Sequence, residues 1–118
     1  MTYVDGFVLC VPKDKIGVYT EMATGAGKIW KEHGALDYKE CILDHDQIEG
    51  VRSFISAADA KEEDTAIFSF IVYHSREHRD EVNAKVMGDE RLKDMCGEKM
   101  PFDVAKMAYG GFKPIVET

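Results

Sequence analysis

The chain has 118 residues, 45% of them hydrophobic and 31% charged, a length and balance that suit one globular domain over residues 1–118. A net charge of −7 and a pI near 5.0 argue against nucleic acid as a partner, because phosphates are met by clustered Lys and Arg, and no such cluster occurs. Three widely spaced cysteines (Cys10, Cys41, Cys96) with no C-x-x-C pair argue against a disulfide framework or zinc knuckle and suit a reducing compartment.

The N-terminus shows no basic n-region, and the longest apolar run, residues 66–73, holds Ser69 and is too short to span a bilayer. The expectation is a cytoplasmic protein without membrane contact.

Residues 3–11 (YVDGFVLCV) are β-branched and aromatic, end at Pro12 and predict a strand that is largely apolar on both faces. Residues 13–33 predict a helix with a stripe of Ile16, Tyr19, Ala23, Ala26 and Trp30. Gly34 is placed to end it in a left-handed conformation. Gly17, Gly25 and Gly27 interrupt the helix at roughly 1 kcal/mol each relative to Ala, for which close helix–sheet approach is one explanation.

Residues 36–43 alternate, with Leu36, Tyr38, Glu40 and Ile42 on one face of a second strand. A polar loop follows. Residues 51–63 fit two readings, an extension of the strand through VRSFISA or a helical turn in AADAKEED. Residues 65–74 (TAIFSFIVYH) are the clearest strand. Ser75 then caps a helix running from Arg76 to about Met87, with Glu77 in its first turn, and Asp89 caps a short piece carrying Leu92 and Met95. After a loop around Pro101, a last strand is predicted near 106–116, where Gly110-Gly111 suggests a bulge or close backbone contact.

The order β-α-β-β-α-β is the ferredoxin-like pattern, an α+β fold in which two helices cover one face of a four-stranded antiparallel sheet. Strands apolar on both faces require a cover for the other face, and a homodimer packed sheet to sheet is the simplest one.

Four stretches carry a family resemblance: YVDGFV (3–8), WKEHGALDYKEC (30–41), SREHRDEVNAKVM (75–87) and MPFDVAKMAYGGF (100–112). Together they span nearly the whole chain. In them the sequence resembles the YbaA-like bacterial proteins, a family of unknown function (DUF1428). The resemblance implies a dimeric α+β barrel and brings no activity with it. Cys10 stands where the family pattern leads one to expect Pro, and His74 where it leads one to expect Lys.

Three motif matches fail on context. H-S-R-E-H (74–78) fits the zinc pattern H-x-x-E-H, but His74 falls at a strand end and His78 in the first helical turn. T-G-A-G-K (24–28) lies mid-helix with the wrong spacing for a P-loop, and Trp30 stands where a dinucleotide fingerprint needs Gly. Asp44-His45-Asp46 reads as an exposed turn. No metal or cofactor is expected. Cys10 and Cys41 read as small core hydrophobes in strands, and Cys96 as a loop residue.

The candidate site residues are therefore side chains of no motif. Trp30 and His33 share a helix face; Trp30 first reads as core, and His33 suits the C-terminal dipole. His78 falls on one face with Val82 and Val86, and Asn83 is a poor mid-helix residue that invites a specific hydrogen bond. Asp5, Tyr38, Glu40, Ser69 and Tyr109 put polar groups on an apolar sheet, where the plain reading is a dimer-interface network.

Two functions stand side by side, with enzyme status undecided. One is a small-molecule-binding dimer or cofactor-less enzyme with a cleft between sheet and helices. In it Trp30, Tyr38 and Tyr109 would line the cleft, His33 or His78 would transfer a proton and Asn83 would polarise a carbonyl. The other is a non-catalytic homodimeric interaction module. RNA binding ranks last on charge.

Overall fold

The two longest apolar segments pair with each other at the centre of the sheet. In a computed structural model, which describes residues 1–95 and 100–118, β1 (Tyr3–Pro12) and β3 (Asp64–Tyr73) run antiparallel over ten residue pairs, from Tyr3↔Tyr73 to Pro12↔Asp64. β2 (Asp37–Ile42) flanks β3 and β4 (Ala108–Phe112) flanks β1, giving the antiparallel order β2-β3-β1-β4. Helix α1 (Ile16–Glu32) links β1 to β2 after a 3-10 turn at Lys13–Lys15, and α3 (Arg76–Met87) with α4 (Glu90–Met95) follows β3. The short α2 (Phe54–Ala57) lies between β2 and β3. This is the ferredoxin-like α+β arrangement. Among the described residues no helix is long and apolar enough to cross a membrane.

Register assigns the faces, because directly paired residues point the same way. Tyr3, Asp5, Phe7, Leu9 and Val11 of β1 share a face with Tyr73, Ile71, Ser69, Ile67 and Thr65 of β3, and with Tyr38, Glu40 and Ile42 of β2. The helices pack here. Ala26 and Ile29 of α1, Val82 and Val86 of α3 and Leu92 of α4 close one core with Tyr3, Ile71 and Tyr73. Leu9, Val11, Tyr19, Ala23 and Ile67 form a second. Extents of 38 × 38 × 20 Å describe a slab two layers thick.

The opposite face is apolar and largely uncovered. Phe68 and Phe112 are 47% and 60% exposed, with half-buried Val4, Val8, Phe70 and Val72 between them. Helix α2 roofs one end only, where Ala58 seals Cys10 and Ala66 and Phe54 meets Phe68 edge-on.

Capping fixes the helix ends. The Ser75 hydroxyl accepts the His78 N–H at 3.0 Å, and Ser53 accepts that of Ser56 at 3.0 Å. Gly34 ends α1 at φ +116°, a backbone angle that side chains disfavour. Two helix glycines mark close approach: a Cβ at Gly27 would lie 2.9 Å from the Tyr38 ring, and one at Gly25 would collide with the Met95 sulfur. Gly17 meets nothing within 4 Å, so close approach does not explain it.

Four expectations need correction. Residues 54–57 are helical rather than strand, started by the Ser53 cap. The last strand covers only 108–112, because a 3-10 turn capped by Asp103 takes Val104–Lys106 and Pro114 lacks an N–H to continue the ladder. Its Gly110-Gly111 pair stays in register with Gly6 and Asp5, so there is no bulge; Gly111 instead leaves room for the Tyr3 phenol. Cys41 is exposed, since β2 is an edge strand and Cys41 points to the open face, whereas Cys10 is buried and its thiol is pushed up by burial and by Asp64. Cys96 lies outside the described residues.

Candidate functional site: a carboxylate ringed by hydroxyls

The polar groups on the sheet do not face the open side, as a dimer-interface network would require. Asp5, Tyr38, Glu40, Ser69 and Tyr109 all point to the helix side, where they form two separate networks.

The first is closed by charge. Asp5 is 1% exposed and receives Arg79 Nη1 at 2.6 Å and the Tyr109 hydroxyl at 2.9 Å. Arg79, from the first turn of α3, also lies over the Tyr3 ring at 5.0 Å and donates to Asp80 at 2.7 Å. Burial works against the guanidinium charge, but Asp80 and Asp5 outweigh it and hold the proton more firmly. Tyr109 is pushed up by burial and by Asp5, with Arg79 opposing.

In the second, among the described residues, hydroxyls and no cation meet the carboxylate. The Glu40 carboxylate accepts from the Tyr19 hydroxyl of α1, the Tyr38 hydroxyl of its own strand and the Ser69 hydroxyl of β3 at 3.3 Å. Burial, then the Glu40 bond, pushes the Tyr19 phenol well above its ordinary range. Oε1 takes Tyr19 and Ser69 while Oε2 takes Tyr38. With about two acceptor positions per carboxylate oxygen, one remains on Oε2.

That carboxylate borders a cleft of ≈ 690 Å³ between α1 and β2. Alternation along β2 places Tyr38, Glu40 and Ile42 in it, with Ile67 of β3 behind. The α1 wall repeats at three- and four-residue spacing through Ile16, Tyr19, Ala23, Gly27 and Lys31. Gly27 lets the Tyr38 ring rest on the helix, and Trp30 packs against Tyr38 at 5.9 Å between ring centroids.

Of the residues singled out in the sequence, Tyr38 and Glu40 line this cleft. Trp30 stands directly behind Tyr38 and donates to Asn83 Oδ1 at 3.2 Å, which also accepts from Tyr73 at 3.3 Å. Asn83 thus joins α1, α3 and β3 from within the core. His33 caps α1 and meets Asp89 at 2.9 Å, away from Trp30. Arg91, then His33, holds the Asp89 carboxyl below the usual range. His78 accepts the His74 N–H on Nδ1 at 2.9 Å and sits edge-on to Tyr73, while Tyr109 belongs to the Asp5 network. Asp46 accepts the Phe54 N–H at 2.9 Å. Among the described residues no group of three or more His, Cys, Asp or Glu side chains is placed to hold a metal ion.

Tyr19, Lys28, Lys31 and Glu32 are titratable cleft residues that sequence reasoning did not single out as candidates. Tyr19 sits on an apolar helical stripe, which hides its hydroxyl. The available signal was Glu40, a carboxylate on the inward face between Tyr38 and Ile42.

The family model described as "Protein of unknown function (DUF1428)" matches residues 2–104. The chain belongs to this family. It is 46% identical over 117 residues to the Uncharacterized protein YbaA of Escherichia coli K12, covering 99% of both chains, and equally so to that of Shigella flexneri. Among solved structures it resembles a NIPSNAP family protein of unknown function from Agrobacterium tumefaciens, with TM-score 0.59, 17% identity and coverage of 96% of this chain and 87% of that one. Those similarities establish family and α+β barrel-type fold, and their names specify no reaction.

Proposed function

We propose that this DUF1428 chain is a cytoplasmic homodimer, paired through the open sheet face, that binds a small molecule in the α1–β2 cleft as a carrier or cofactor-less enzyme. The observation that carries the cleft reading is Glu40. It is a carboxylate positioned by three hydroxyls, with no cation against it among the described residues and one acceptor position left, beside a mostly apolar groove. A ligand O–H, N–H or acidic C–H reaching Oε2 meets a proton acceptor whose partners are already oriented, as general-base chemistry requires. Ile16, Ala23, Ile42 and Ile67 favour an apolar ligand body around that point.

Dimerisation rests on the exposed Phe68 and Phe112 and the valines between them, a face that a second copy would remove from water.

Trp30 is the one tryptophan and packs on Tyr38, so its fluorescence is a natural reporter of cleft occupancy. Titration with 1-decanol is expected to change Trp30 emission saturably in the wild type and several-fold more weakly in Glu40→Gln. Equal responses would remove Glu40 from the site, and no response would remove the cleft. Native mass spectrometry is expected to show a dimer that Phe68→Asp converts to monomer.

A further inference from the structure

The cleft is polarised along its length. Its α1 wall runs from Ile16 to Lys31, about 22 Å at 1.5 Å per residue. Ile16, Ile42 and Ile67 line one end; Tyr19 and Glu40 stand beyond them; Lys28 and Lys31 stand at the other end beside Tyr38. Two cations at one mouth are notable in a chain of net charge −7.

Their surroundings leave their charge available. Lys28 is exposed and makes no hydrogen bond or ion pair with the described residues. Lys31 spends one of its three donors on the Leu36 carbonyl at 2.8 Å. The two nearby carboxylates already have cations of their own: Glu32 takes Arg91 at 2.5 Å, and Asp37 takes Lys39 at 2.8 Å. Both are lowered, Glu32 by Arg91 and Asp37 first by Lys39, with Lys31 adding a smaller share at Asp37.

We infer that the ligand is an amphiphilic carboxylate, its anionic head between Lys28 and Lys31 and its apolar chain running past Glu40 toward Ile16, Ile42 and Ile67. This rests on the cleft reading above. The head is a single negative charge by electrostatic balance. Lys31 is partly committed, and Glu32 lines the same mouth, which disfavours a doubly charged phosphate. The order of the wall also sets polarity: Glu40 is about a dozen ångströms from the Lys28 level along α1, so it meets the chain and not the head.

The test compares decanoate, below its micelle concentration, with 1-decanol on the wild type and on a Lys28→Gln/Lys31→Gln double variant, read by Trp30 emission. Both lysines are exposed, so the variant is expected to fold; its urea midpoint checks this. The expected result is decanoate affinity about tenfold weaker in the variant, the magnitude of one lost charge-assisted hydrogen bond, with 1-decanol unchanged. Unchanged decanoate affinity, with 1-decanol still binding, overturns the carboxylate assignment and leaves the cleft reading intact. No response to either probe in the wild type overturns both.

Discussion

Two carboxylates on the same sheet face have opposite surroundings. Asp5 is fully buried and answered by Arg79, whose guanidinium is itself fixed over Tyr3 and against Asp80. Glu40, also on the helix side, is answered among the described residues only by hydroxyls and borders open volume. A buried charge matched by a countercharge has its chemistry spent on holding the fold. One matched by dipoles beside a cleft keeps its charge available to whatever enters. The contrast separates a structural network from a candidate functional one without reference to any known activity.

The contrast is broken most forcefully at Arg79. Arg79→Met leaves Asp5 buried and uncompensated, and the expected loss is about 3–5 kcal/mol in urea unfolding. Glu40→Gln keeps a hydrogen-bonding side chain of the same shape, and the expected loss is about 1 kcal/mol. Losses of equal size would mean that both networks are structural.

Gly27→Ala comes next. The added methyl meets the Tyr38 ring at 2.9 Å, so either the ring leaves Glu40 or α1 lifts from the sheet, at an expected cost of about 1–3 kcal/mol. Loss of the Trp30 emission change on 1-decanol addition should accompany it. On the same helix Gly17→Ala meets nothing, and a gain of about 0.5 kcal/mol is expected from helix propensity alone. Urea midpoints of the pair distinguish close approach from propensity.

Much of this fold is legible in residues alone. The β-branched and aromatic run 3–11, alternation in 36–43, the apolar run 65–74, the Ser75 cap and Gly34 suffice to place β1, β2, β3, the start of α3 and the end of α1. The site was less legible because it is made across elements. Nothing near Tyr19 in sequence says that its hydroxyl meets Glu40, 21 residues away. Trp30 and His33 do share a helix face by spacing, yet Trp30 turns to Asn83 and His33 to Asp89, because α3 and α4 dock on different parts of that face. Sequence spacing fixes which way a side chain leaves its helix, and tertiary docking decides what it meets.

The smallest effect tests the phenols directly. Tyr19 and Tyr109 both lie above the ordinary tyrosine value of about 10, each mainly through burial and next through its carboxylate. Where the folded state holds a proton more tightly than the unfolded chain, stability is intact below about pH 10 and falls as pH rises above it. Glu40→Gln removes the charge that helps hold the Tyr19 proton, so Tyr19 should ionise at lower pH and the alkaline fall in stability should lessen, with Tyr109 unmoved. Arg79→Met removes the one group drawing Tyr109 downward, so Tyr109 should ionise at higher pH with Tyr19 unmoved. Tyrosinate absorbance against pH reads both. If one substitution shifted both phenols, the two carboxylates would be coupled through the sheet, and the division between a structural and a functional network would fail.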